Sequence, residues 1–185
     1  MQIIQSLCLT AEQYVQQQYH RRIRPPESCP HCRHPHCLKA LGYYDRFVTA
    51  MIAQVLSIWV RRFLCVHCRH TVSCLPQFAQ PYRLVNTPTI QAAFQGQHQD
   101  GQVQRWKSLL DSYWRRFQEH LPELLRRIGY AFGSFAQAPS ARQVWDLLLK
   151  TCGSLATATR QLVHQFRTCL FRTYRCHQPQ DYQDC

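Results

Sequence analysis

Two Cys-x-x-Cys pairs, Cys29/Cys32 and Cys65/Cys68, bracket a stretch that reads as two β-strands. A tight turn at each pair aims two sulfurs at one point, and the hairpin between them brings the second turn beside the first. Four thiolates then converge on one ion. Zn2+ suits such a set because it imposes no d-electron geometry and takes four soft ligands tetrahedrally; with every position filled by protein, the site is structural rather than catalytic. Other ligands crowd the two turns. His31, His34, His36 and Cys37 lie near the first pair, and His67, His70 and Cys74 near the second, so a histidine, Cys37 or Cys74 could replace one cysteine. A redox role would need a nucleophilic cysteine at a helix N-terminus in a thioredoxin-like setting, which neither pair has. Cys8, Cys152, Cys169, Cys176 and Cys185 read as buried or incidental thiols.

The elements that must position these sulfurs follow from periodicity. Residues 38–49 and 54–64 are rich in aromatic and β-branched side chains. In the second run, alternation puts Val55, Ser57, Trp59, Arg61 and Phe63 on one face and Leu56, Ile58, Val60, Arg62 and Leu64 on the other. Trp59 and Phe63 are expected to fill a core. Thr10 is placed to cap a helix over 11–20, which Arg24-Pro25-Pro26-Glu27 stops. After Pro76 and Pro81, Asn86-Thr87-Pro88 reads as a helix start, and helices are expected at about 88–95, 102–119, 122–135, 140–151 and 154–174. The fold class is α+β: a small hairpin ribbon followed by a helical domain. The expected divisions are an N-terminal helical segment at 1–24, the ribbon at 25–85, the helical domain at 86–175 and a polar tail at 176–185.

Charge points to a partner. Against 10 Asp and Glu stand 22 Lys and Arg, a formal net charge of +12, and only Lys39, Lys107 and Lys150 among the cations are lysines. Arginine favours bidentate contacts to phosphate and guanine, so the balance suggests nucleic acid, expected as double-stranded DNA. Candidate contacts are Arg46, Arg61, Arg62 and Arg69 around the hairpin, and Arg105, Lys107, Arg115 and Arg116 on the 102–119 helix. With 88–95, that helix has the outline of a helix-turn-helix. The same helix carries Trp106, Leu109, Leu110, Tyr113, Trp114 and Phe117 at core spacing. No basic segment followed by an apolar core opens the chain, and no apolar run approaches the ~18 residues of a membrane span. The expectation is a cytoplasmic protein without a membrane partner.

Taken in order, Cys29-Pro30-x-Cys32, Leu41-Gly42-Tyr43-Tyr44-Asp45-Arg46, Val60-Arg61-Arg62-Phe63-x-Cys65-x-x-Cys68 and His70-Thr71-x-Ser73-x-Leu75-Pro76-x-Phe78 form one pattern. The pattern resembles the zinc ribbon at the front of bacterial insertion-sequence transposases and their short relatives, over about residues 28–85. The resemblance implies a ribbon followed by helix-turn-helix segments, and a transposase or another mobile-element protein as partner. Full transposases of this type carry a nuclease domain with three well-separated carboxylates. The acids after Pro88 are Asp100, Asp111, Glu119, Glu123, Asp146, Asp181 and Asp184, and none ends a strand pattern. Two-metal phosphoryl transfer is therefore not expected.

The expected function is zinc-dependent DNA binding without catalysis, transposase-like or accessory to transposition. The alternatives are a protein–protein interaction module built on the ribbon and a transposase remnant without function.

Overall fold

Strands form where the alternating aromatic and β-branched runs lie. The computed structural model describes residues 1–50, 54–131 and 138–173. Strands β2 (Leu38–Thr49) and β3 (Val55–Cys65) pair antiparallel, from Leu38 opposite Cys65 to Thr49 opposite Val55. The register slips once, between Ala40 and Gly42. Gly42 takes φ of 133°, a backbone state open to glycine and strained for other residues, and the exposed Leu41 bulges out beside it.

Two further strands complete a four-stranded sheet in the order β1-β4-β3-β2. Strand β4 (Thr71–Pro76) leaves the second cysteine turn and runs antiparallel to β3. Strand β1 (Gln2–Gln5) lies parallel to β4 at the sheet edge. Its Ile3 and Ile4 are buried, so the first residues, expected only to lead into a helix, belong to the sheet.

Helix α1 (Ala11–Gln16) is capped by Thr10, which accepts from the Gln13 N–H while the Gln13 side chain returns to the Thr10 N–H. It is shorter than expected. Gln18 adopts a left-handed conformation, φ 46°, and the chain continues as a 3-10 turn over Tyr19–Arg22. The sheet core gathers Ile3, Ile4, Tyr14, Ile58, Val60, Phe63, Val72 and Leu75.

The second core is helical. Helix α2 (Thr87–Phe94) begins at Asn86, whose side chain accepts from the Thr89 N–H. The helix expected at 102–119 is two helices, α3 (Gly101–Arg105) and α4 (Lys107–Ile128), divided at the partly buried Trp106. The break expected at Pro122 is absent. The buried stripe Leu110, Tyr113, Phe117, Leu121, Leu124 and Ile128 runs unbroken past it, and the exposed proline sits on the outer face. Burial of that stripe outweighs the hydrogen bond lost at proline. Helices α5 (Ala141–Cys152) and α6 (Leu155–His164) follow, both serine-capped.

A helix was expected to reach 174, but α6 ends ten residues earlier. Arg167 is left-handed, φ 49°, and short strands β5 (Thr168–Cys169) and β6 (Arg172–Thr173) turn back to bury Leu170 and Phe171. The helix expected over 122–135 ends at Ile128, where Gly129 takes φ 53°, and residues 132–135 and the tail expected at 176–185 lie outside the described residues.

Polar ties join the cores. The buried Gln80 side chain bonds Thr87 and Thr159, and Asn86 bonds Thr49. Helix α6 contacts β1, with His164 Nε2 3.3 Å from the Ile4 carbonyl.

Candidate metal centre

Each cysteine pair sits in the same local fold. In the first turn the Cys29 N–H donates to the His34 carbonyl at 3.0 Å and the Arg33 N–H to the Cys29 carbonyl at 2.8 Å. In the second, Cys65 N–H donates to His70 O at 3.0 Å and Arg69 N–H to Cys65 O at 2.9 Å. Arg33 and Arg69 both take left-handed backbone, φ 62° and 60°, which closes each loop. Backbone N–H groups point at sulfur as well: His31 N–H lies 3.4 Å from Cys29 Sγ, and Cys68 N–H 3.4 Å from Cys65 Sγ. Such donors stabilise thiolate.

The hairpin brings the two turns together. Cys29 Sγ and Cys68 Sγ are 3.7 Å apart, Cys32 Sγ and Cys65 Sγ are also 3.7 Å apart, and all four sulfurs lie within 4.8 Å of one another. With metal–sulfur bonds of about 2.3 Å, a tetrahedral zinc site has sulfur–sulfur edges of about 3.8 Å. The four cysteines can therefore hold a metal ion. Cys29 and Cys65 are fully buried, while Cys32 and Cys68 are half-buried on the outer side.

Ionisation is uneven among Cys29, Cys65 and Cys68. Burial opposes it at Cys65, but the Cys68 N–H and the neighbouring Cys37 and Cys68 thiols outweigh burial and hold Cys65 down to about 6. Burial pushes Cys29 up, and pushes Cys68 up to about 12. A cation would supply the charge that lets all four ionise together.

Of the other expected ligands, Cys37 comes nearest. Its Sγ lies 3.2 Å from Cys65 Sγ and donates to the His34 carbonyl at 3.0 Å, so it is a buried neighbour of one member of the set. Cys74 is buried on β4, opposite Arg61. His31, Cys68 and His70 form a second close group. The rings of His31 and His70 stack, 3.8 Å between centroids and 13° apart in plane, and His70 Nδ1 lies 2.8 Å from the Cys68 carbonyl. Stacked rings turn their faces, not their nitrogens, toward each other. His34 and His67 stack likewise at 4.6 Å.

These pairings expose a signal that the cysteine spacing alone had hidden. The two turns read Cys29-Pro30-His31-Cys32-Arg33-His34 and Cys65-Val66-His67-Cys68-Arg69-His70, a six-residue repeat of Cys-x-His-Cys-Arg-His. The third residue of each turn stacks on the sixth of the other, so the centre has approximate two-fold symmetry. Arg33, absent from the expected contacts, occupies the position equivalent to Arg69, and both are exposed.

The expected nucleic-acid contacts fall into three groups. Arg46 is turned inward, donating to the carbonyls of Gln80 and Arg83. Arg61 and Arg62 are half-buried; Arg61 lies over the Tyr43 ring, 4.5 Å from its centroid, and Arg62 over Tyr44 at 5.9 Å. Arg69 is exposed beside the sulfur centre, while Arg105, Lys107, Arg115 and Arg116 are exposed on α3 and α4 over the other core. The aromatic stripe of that helix packs inward as core: Tyr113 and Phe117 are buried, and Trp106 and Trp114 are packed against them. In the sheet, Phe63 is buried as expected, but Trp59 is 51% exposed. Among the described residues no helix is long and apolar enough to cross a membrane.

Residues 29–113 match a family model described as a domain of unknown function, DUF6431, a span that starts at the first cysteine of the centre and ends within α4. No curated protein and no solved structure matches the chain.

Proposed function

We propose that this chain is a zinc-dependent DNA-binding protein, transposase-like or accessory to transposition, in which one zinc ion at Cys29, Cys32, Cys65 and Cys68 fixes a basic β-hairpin against duplex DNA. The observation that carries the reading is the pair of 3.7 Å sulfur–sulfur edges, set by two matching turns that each present an exposed arginine. A structural zinc site contributes about 10–16 kcal/mol of apparent binding energy at neutral pH. Charge supports the choice of partner: residues 1–99 hold ten Lys and Arg against Glu12, Glu27 and Asp45. Arg33 and Arg69 flank the centre as phosphate contacts, and Arg105, Lys107, Arg115 and Arg116 supply a second cationic surface. The mobile-element setting rests on the resemblance of residues 28–85 to transposase ribbons.

The test is duplex binding across a salt series with zinc-loaded protein. Log K falls by about 0.9 for each phosphate neutralised, per tenfold rise in salt. Arg33→Ala and Arg69→Ala each lower that slope by about one. Affinity that stays flat between low and physiological salt contradicts the reading.

A further inference from the structure

One face of the β2–β3 hairpin carries rings that the fold leaves in solvent. Tyr43, Asp45 and Phe47 on β2 share it with Val55, Ser57, Trp59 and Arg61 on β3. Phe47 is 59% exposed, Trp59 51% and Tyr43 39%. In register, Phe47 faces Ser57, Trp59 faces Asp45, and Tyr43 faces Arg61. The rings thus alternate between strands at three successive levels, each two residues or about 7 Å beyond the last. That step lets each ring take one base of a strand drawn out of its helical stack.

The wall beside this floor brings one cation, Arg21, to its edge. Val15, Gln18, His20 and Arg21, from α1, the 3-10 turn and the link between them, line one groove with Tyr43, Ser57 and Trp59. The His20 ring stands edge-on to Tyr43, 5.2 Å between centroids, and the Arg61 guanidinium lies over the same ring. Arg22, next in the turn, is exposed. Rings on the floor match bases, and Arg21 on the wall together with Arg61 beside Tyr43 match phosphates. Asp45 is the acid on the floor, and a carboxylate there accepts from an exocyclic amine at a base edge, such as cytosine N4. A duplex hides its base faces in its own stack and cannot use exposed rings this way.

We propose that this hairpin face, with the groove beside it, binds single-stranded DNA, with bases stacked on Phe47, Trp59 and Tyr43 and phosphates held by Arg21 and Arg61. The proposal rests on the DNA-binding reading above and adds a second substrate form to it. The experiment compares zinc-loaded full-length protein binding to a labelled 15-nucleotide oligo(dT) and to a 15-base-pair duplex, by anisotropy at one salt concentration. Phe47→Ala and Trp59→Ala are each expected to weaken oligo(dT) binding about tenfold while duplex binding is kept, and Trp59→Phe to retain oligo(dT) binding. Zinc content and circular dichroism check each variant, and Phe47→Ala carries the test if Trp59→Ala misfolds. Duplex binding with oligo(dT) binding absent, or unmoved by either alanine, overturns the groove and leaves the DNA-binding reading standing. Binding to neither form removes both.

Discussion

Among single residues, Cys29, Cys65 and Cys68 differ in how readily they ionise, and the difference sets how metal affinity depends on pH. Cys65 is held near 6, so above that pH it meets a cation already ionised. Cys29 and Cys68 are raised by burial and keep their protons at neutral pH while no metal is bound. Binding must displace those two protons, so affinity rises with pH and is lost as pH falls. Calorimetry in buffers of different ionisation enthalpy should detect release of at least about two protons per zinc at pH 7, with log K climbing by about two per pH unit. Binding without proton release would mean that these thiols are not the ligands. The cysteine spacing was legible in the sequence because both pairs are local. The histidine and arginine positions of the same repeat were equally visible as letters, but their meaning lay in stacking across the hairpin, between residues about 40 apart such as His31 and His70.

For the elements, tertiary burial decides where local signals conflict. Strands β2 and β3, of 12 and 11 residues, were readable because both are rich in aromatic and β-branched side chains and β3 alternates clearly. Strand β1 was not, since it has four residues and its partner β4 lies about 70 residues along the chain. Helix α4 shows the same principle at Pro122. The sequence places a breaker there, yet Leu121 and Leu124 stay in the helical core, and the proline costs the helix one hydrogen bond on its solvent face. Pro122→Ala should therefore stabilise the protein by about 1–3 kcal/mol in urea unfolding; a destabilised variant would show that the helix depends on the ring. Trp106 is the opposite case. An uninterrupted pattern over 102–119 breaks where this large side chain turns in to pack against the core.

Over the whole molecule, the sheet and the helical core are joined by buried groups. Gln80 bonds Thr159, Arg83 donates to the Phe171 carbonyl, and Val163 and Cys169 from the helical half lie in the sheet core. Metal at one end should therefore be felt at the other. Chelation is expected to lower the melting temperature of the helical signal at 222 nm by roughly ten degrees or more. A helical transition that ignores the chelator would mean the cores unfold independently. Everything proposed for DNA, duplex or single strand, depends on the sulfur centre that positions the hairpin. The most direct test is native mass spectrometry of protein purified under reducing conditions, beside Cys29→Ser, Cys65→Ser and Cys37→Ala. One zinc per chain, lost in the two serine variants and kept in Cys37→Ala, is the expected result. A chain without metal whose cysteines oxidise reversibly to disulfides would contradict the account at its foundation.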